Sequence, residues 1–171
     1  MGLPRTLMNF LLYNEGLSHV GEAKTITLPV LSRKIEEWDG GGMGGAVGID
    51  MGADGLLEMS HSYGGPMRQI FSQYGITKVN GVYLRFVGSY QQQDSDAVDA
   101  IEVVVRGRHK EIDMGDQEKG GQGEFKVSSV LSYYKLSWNN EVLIEIDRLN
   151  MIEAVDGVDR LAAQRAALGM F

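Results

Sequence analysis

From residue 81 onward the chain alternates apolar and polar side chains with a period of two, the mark of strands with one buried face. Over residues 81–91, Val82, Leu84, Phe86 and Tyr90 share one parity, while Tyr83, Arg85 and Ser89 take the other. Over 99–109, Ile101, Val103 and Val105 stand against Glu102, Arg106 and Arg108. Residues 125–138 form a third long run, rich in β-branched and aromatic residues. Asn139-Asn140 then supplies a two-residue turn, because Asn tolerates positive φ better than other non-glycine residues. Residues 141–147 alternate again, with Val142, Ile144 and Ile146 expected inward, which completes a predicted hairpin.

The first half carries shorter strand patterns. Residues 23–28 read as a strand stopped by Pro29, and 31–38 as a polar continuation. Val47, Ile49 and Met51 share a parity over 46–51, as do Leu57, Met59 and Tyr63 over 57–63. Between 38 and 46 the cluster Gly40, Gly41, Gly42, Met43, Gly44 and Gly45 cannot form a rigid element by itself, so a flexible loop is expected over about 39–46. A flexible N-terminal arm is expected over about 1–16. Two helices interrupt the strands. Residues 66–74 put Met67, Ile70, Phe71 and Tyr74 on one stripe, with proline in the first turn and Gly75 beyond the end. Residues 158–168 read as a second helix, with Asp156 as N-cap and Gly169 after it. The pattern predicts one mainly β domain over 1–171: an antiparallel β-barrel or sandwich with a short capping α-helix and a C-terminal helix.

Composition narrows the chemistry. At 171 residues the chain is long enough for its own core, burying roughly 68–70 % of its unfolded surface. There are no cysteines, which excludes disulfide frameworks, thiolate metal sites and cysteine nucleophiles. A formal charge of −7 disfavours gripping nucleic acid by its phosphates. No stretch approaches the ~20 apolar residues of a membrane helix, so no membrane insertion is expected. The run Phe10-Leu11-Leu12-Tyr13 ends too soon at Asn14-Glu15-Gly16 for a signal-peptide core. Met1-Gly2 with Thr6 has myristoylation spacing, but no polybasic stretch follows as a second anchor, and a plain N-terminal arm is the better reading.

No catalytic constellation, metal site or cofactor emerges. The glycine cluster is followed by Ala46-Val47-Gly48-Ile49, without the Lys-Ser/Thr and helix start of a phosphate loop. His19, His61 and His109 lack a second histidine at ligand spacing, and His61 falls in parity with Met59 and Tyr63, as a packed histidine does. Asp94, Asp96 and Asp99 lack the glycine and terminal glutamate of a calcium loop and read as a solvated acidic loop. Residues 128–132 carry no Gly-x-Ser-x-Gly elbow. Glu145 and Asp147 lie on a strand's polar face with no second carboxylate visibly converging on them. Arg106-Gly107-Arg108-His109-Lys110, with Glu111 and Asp113 next, reads as an ion-paired strand end.

What stands out instead is a set of stretches in fixed order: Leu3-Pro4-Arg5, Thr27-Leu28-Pro29, residues 31–38, residues 40–43, Arg85-Phe86-Val87-Gly88-Ser89-Tyr90-Gln91 and Val104 to Asp113. Ser132-Tyr133-Tyr134-Lys135-Leu136, Glu145-Ile146-Asp147, Asn150-Met151-Ile152-Glu153 and Asp156 to Leu161 follow. Together they resemble the major tail tube proteins of contractile-tailed, P2-like bacteriophages and the related tubes of R-type pyocins. The resemblance implies a tail-tube fold, with kinship to the ring-forming tube protein of type VI secretion. It further implies a structural protein of the virion tail, assembled in the host cytoplasm as homohexameric rings stacked into a hollow conduit for the genome. Implied partners are other copies of the chain, the tail sheath protein, the baseplate hub and tail terminator proteins, and the tape measure protein and transiting DNA in the lumen.

The residues allow a finer expectation. A glycine-rich arm, Gly40 to Gly45, suits contact with a neighbouring subunit or ring. Six copies would multiply the charge of −7 six-fold, and DNA must pass without sticking, so the lumen face is expected to be acidic or neutral, drawing on Glu102, Glu141 or Glu145. The alternative in the same architecture is the tube of a headless, pyocin-like or secretion-like particle that carries no DNA. The competing class is a small β-barrel enzyme or ligand-binding module, which would need a concave pocket with convergent polar groups.

Overall fold

The computed structural model describes residues 2–19 and 21–170. The strands are β1 (Arg5–Asn14), β2 (Leu17–Ser18), β3 (Ala23–Thr27), β4 (Arg33–Trp38), β5 (Val47–Ala53) and β6 (Leu57–Tyr63). After helix α1 (Arg68–Ser72) come β7 (Val82–Gln92), β8 (Val98–Asp113), β9 (Phe125–Trp138), β10 (Glu141–Asp147), β11 (Ile152–Val155) and β12 (Val158–Asp159), and then α2 (Ala162–Ala167).

All strand pairs are antiparallel, and ten strands form one sheet in the order β12-β11-β10-β9-β8-β7-β1-β2, with β6 joined to β9 and carrying β3. β9 organises this sheet. Along one side it pairs with β8; along the other its first half pairs with β6 and its second half with β10. The expected mainly β antiparallel architecture with two short helices is the observed one.

Alternation puts one face of the sheet inward. Val82, Leu84 and Phe86 of β7, Val103 and Val105 of β8, and Phe125, Val127 and Leu131 of β9 are buried together with Leu57, Met59 and Tyr63 of β6. Two register shifts in β8 against β9 bend the ladder. At the first of them Gly107 is obligatory, because a Cβ there would lie 2.1 Å from the carbonyl oxygen of Val130. α1 sits over the open end of this core through Ile70, which is fully buried. Asn139 (φ 48°) and Asn140 (φ 69°) make the predicted tight turn between β9 and β10.

Several expectations need correction. The N-terminal segment is not a free arm: residues 5–14 form β1, zipped along β7 by tertiary pairing that the segment's own sequence does not announce. Leu3 adds a backbone bond to Asp94 at 3.0 Å, so the acidic loop before β8 fastens the N-terminus. Val142 faces the polar side opposite Ser137, because the ladder shifts register between Val142 and Ile144. Asp156 does not cap a helix. With φ 52°, followed by Gly157 at φ 80°, it makes the turn of a small β11–β12 hairpin, and α2 starts only at Ala162. The stripe of α1 is half used: Ile70 is buried, while Phe71 and Tyr74 are exposed.

Candidate functional site

Three surfaces remain once the core is accounted for. The first is the β4–β5 hairpin. Among the described residues these strands pair with each other and with no other strand. Register puts Trp38 opposite Val47 and Glu36 opposite Ile49, so one face carries Trp38, Val47, Ile49 and Met51 around Glu36. All four apolar residues are exposed, Trp38 to 61 %. The other face is shaved down at Gly48, where a Cβ would press on Ile35. Arg33 ties the hairpin base to the main sheet, bonding Asp50 at 2.9 Å and also Glu153 of β11. The candidate contact residues Gly40, Gly41, Gly42, Met43, Gly44 and Gly45 form the hairpin's tip. Gly40 N–H donates to Met43 Sδ at 3.1 Å, while Gly41, Gly44 and Gly45 face open space.

The second surface is the polar face of β7–β10. Register aligns Tyr83, Arg106, Tyr133 and Asp147 in one row, and Arg85, Val104, Lys135 and Glu145 in the next. In and beside these rows three cations, Arg85, Arg106 and Lys135, stand among three carboxylates, Glu102, Glu145 and Asp147, and Arg108 is exposed further along the same side of β8. Two of the arginines are occupied. Arg85 donates to Glu102 at 3.1 Å and lies over the Tyr13 ring at 5.1 Å, and Arg106 lies over Tyr83 at 5.1 Å. The Glu102 hydrogen bond pushes the Arg85 guanidinium further toward its charged form. Tyr133 donates to Glu145 at 3.1 Å, and burial with that bond pushes its phenol up to about 12. A cleft of about 430 Å³ between these side chains is polar, without a nucleophile–base pair. Of the three glutamates singled out from sequence, Glu102 and Glu145 meet on this face. Glu141 pairs with Trp138 and lies on the opposite one.

The third surface is edge backbone. β2 covers only Tyr13 and Asn14 of β1, so residues 5–11 have a strand partner on one side only among the described residues. At the far end β11 reaches only Ile144–Asp147 of β10.

The histidines serve none of these surfaces. His61 and His109 are buried and bonded inside the core, as packed residues are, and among the described residues no group of side chains could hold a metal ion. The basic cluster is mid-strand and not a strand end: His109 points inward, and Lys110 pairs with Glu58 at 3.4 Å.

Sequence comparison decides what kind of site this is. The family model described as phage tail tube protein FII matches residues 4–169, nearly the whole chain.

The chain belongs to the phage tail tube family.

The tail tube protein of Escherichia phage P2 is 44 % identical over 172 aligned positions, covering 99 % of this chain and 100 % of that protein. The major tail tube protein of Serratia phage KSP20 is 39 % identical over 158 positions, covering 92 % and 91 %. A phage tail tube protein is a structural component of the virion and not an enzyme, and it assembles with other tail components. The functional site of this family member is therefore its assembly surfaces. Sequence reasoning singled out the glycine loop and noted the parity of Val47, Ile49 and Met51, but not that this stripe with Trp38 stands exposed, because alternation does not reveal whether an apolar face is covered by the same chain.

Proposed function

We propose that this phage tail tube protein builds the inner tube of a contractile tail. Six copies close into a ring, rings stack, and the bore conducts the genome into the host. The observation that carries this reading is the bare β4–β5 hairpin: an indole, two aliphatic side chains and a thioether held in water by a protein whose family is structural.

Lateral contact follows from the two sheet ends. The outer edge of β1 and the β10–β12 end differ, so copies join head to tail, and such contacts close when the rotation fits. Axial contact falls to the hairpin, with Gly40 to Gly45 at its tip accommodating a neighbouring subunit. The bore is lined by this mixed-charge polar face, with Glu102 and Glu145 among its residues. Duplex sticks by exchanging counterions for free lysines and arginines, and here Arg85 and Arg106 are already engaged. The sheath protein surrounds this tube, baseplate hub and terminator proteins hold its ends, and tape measure protein and then DNA occupy it. That both relatives come from phages favours a DNA conduit over a headless particle.

Negative-stain microscopy of the purified chain tests the proposal. Rings or tubes with six-fold end views are expected. A chain that stays monomeric at every concentration and ionic strength sinks it.

A further inference from the structure

Beneath α1 runs an unbroken file of six buried polar side chains, none more than 7 % exposed. Tyr63 of β6 donates its hydroxyl proton to His61 Nδ1 at 2.7 Å. His61 Nε2–H donates to Ser129 Oγ of β9 at 3.1 Å, and Ser129 turns its own proton to His109 Nδ1 of β8 at 2.9 Å. His109 Nε2–H donates to Gln73 Oε1 at 2.8 Å. Gln73, the residue that ends α1, forms a reciprocal amide pair with Asn14 of β1, at 3.0 and 2.6 Å.

The amide pair sets the direction of the file. Gln73 Nε2 donates to Asn14, so Gln73 presents oxygen to His109, and that ring must present N–H. Its Nδ1 is then an acceptor, Ser129 must supply the proton, and Ser129 oxygen is left to accept from His61. With both imidazoles neutral, every proton in the file has an acceptor. One added proton breaks this. On His109, Nδ1–H would face Ser129, which then meets two N–H groups and has no acceptor for its own proton. On His61, Nδ1–H would face the Tyr63 hydroxyl with the same result. A buried charge with an orphaned donor beside it is strongly unfavourable.

Among the described residues nothing nearby compensates such a charge. His19, before β3, packs edge-on against Tyr63 with centroids 5.7 Å apart, and its own Nδ1 lies 3.2 Å from Glu22. His61 and His109 are 5.9 Å apart, so charge on one opposes charge on the other. Glu111, Asp113, Glu124 and Lys126 line the cleft that reaches His61 from solvent, but no carboxylate bonds either ring among the described residues. α1 and β1 contribute only the amides of Gln69, Gln73 and Asn14. Burial correspondingly pulls His61 down to about 3, with His109 and His19 adding to it, and His109 down to about 4.

We propose that this file is an acid latch for α1: the helix is held on the sheet only while both imidazoles are neutral, and acidification releases it while the sheet stays folded. α1 is the element that would yield first. It has five residues and no side-chain N-cap; Ile70 is its one buried apolar anchor, Met67 and Phe71 pack only partly, and Gln69 and Gln73 supply its polar ties to β1 and the file.

Hydrogen exchange of the purified chain, normalised to intrinsic rates, tests the latch. Between about pH 7.5 and about pH 5, peptides spanning 66–75 are expected to lose protection about tenfold or more, while β7 peptides remain at a clearly higher level of protection throughout. A single shared level of protection for 66–75 and β7 at pH 5, or no loss over 66–75, overturns it. His109→Gln keeps a donor for Gln73 and cannot take up a proton, so it should move release to lower pH; an unmoved midpoint is contrary. If that variant fails to fold, ¹⁵N imidazole shifts of the wild type decide at neutral pH. Both rings must be uncharged with the proton on Nε2, and a charged His61 or His109 overturns the latch.

Discussion

At the scale of single residues, His61 and His109 make global stability depend on pH with a definite sign. Both rings have folded pKa values pulled below the ordinary 6.5 by burial, to about 3 and about 4. The unfolded chain therefore takes up protons first as pH falls. Stability is full above about 6.5 and falls below it by up to about 1.4 kcal/mol per pH unit for each ring, until the folded rings themselves titrate. Urea midpoints should be flat from pH 8 to 7 and drop steadily toward pH 5; a midpoint that rises on acidification would contradict the burial of neutral imidazole. The parity of His61 with Met59 and Tyr63 made its burial legible in the sequence. Its partners were not, because Ser129, Gln73 and Asn14 lie 68, 12 and 47 positions away and are joined to it only by the curl of the sheet.

At the scale of elements, α1 and the β4–β5 hairpin behave in opposite ways. Ile70 is fully buried, so Ile70→Ala should cost about 2–5 kcal/mol in chemical denaturation. Phe71 touches Phe125, with ring centroids 5.3 Å apart, but is 42 % exposed, so Phe71→Ala should cost clearly less. Equal costs would mean that the stripe, and not the single anchor, holds the helix. The hairpin contributes nothing to the central core. Removing residues 41–44 should leave the thermal midpoint of the subunit unchanged within error while abolishing or slowing tube elongation, read by light scattering. Long strands such as β7 and β9 were legible almost to the residue because both neighbours lie in the same sheet, whereas in β10 the register shift reversed the side of Val142. Short elements were not. β12 and the Asp156-Gly157 turn looked like a helix start, since an Asp before an apolar run serves either purpose until Gly157 takes positive φ.

At the scale of the whole molecule, the chain is one ten-stranded sheet with two unlike ends, plus the separate β4–β5 hairpin. Leu7 and Met8 lie exposed on β1, in the stretch whose outer edge has no strand partner among the described residues. Charged residues on such an edge discourage strand addition. The double change Leu7→Lys with Met8→Lys should therefore leave a folded monomer, with unchanged far-ultraviolet circular dichroism, that no longer forms rings in sedimentation. Rings of wild-type abundance would move the lateral contact elsewhere. Fold class was readable from alternation alone, and the family from ordered stretches of sequence. Which surfaces meet a neighbour was not, because residues facing another copy follow the same polar and apolar alternation as those facing water or the core.

The hairpin leaves the sheet at one place only, between β3 and β6. Any stack made from such a part has a direction, as a column of spoons does: one terminus displays unused prongs and the other the seats that would have received them. The two termini are then chemically different, so one stopper cannot close both, and addition of rings at one end need not compete with addition at the other.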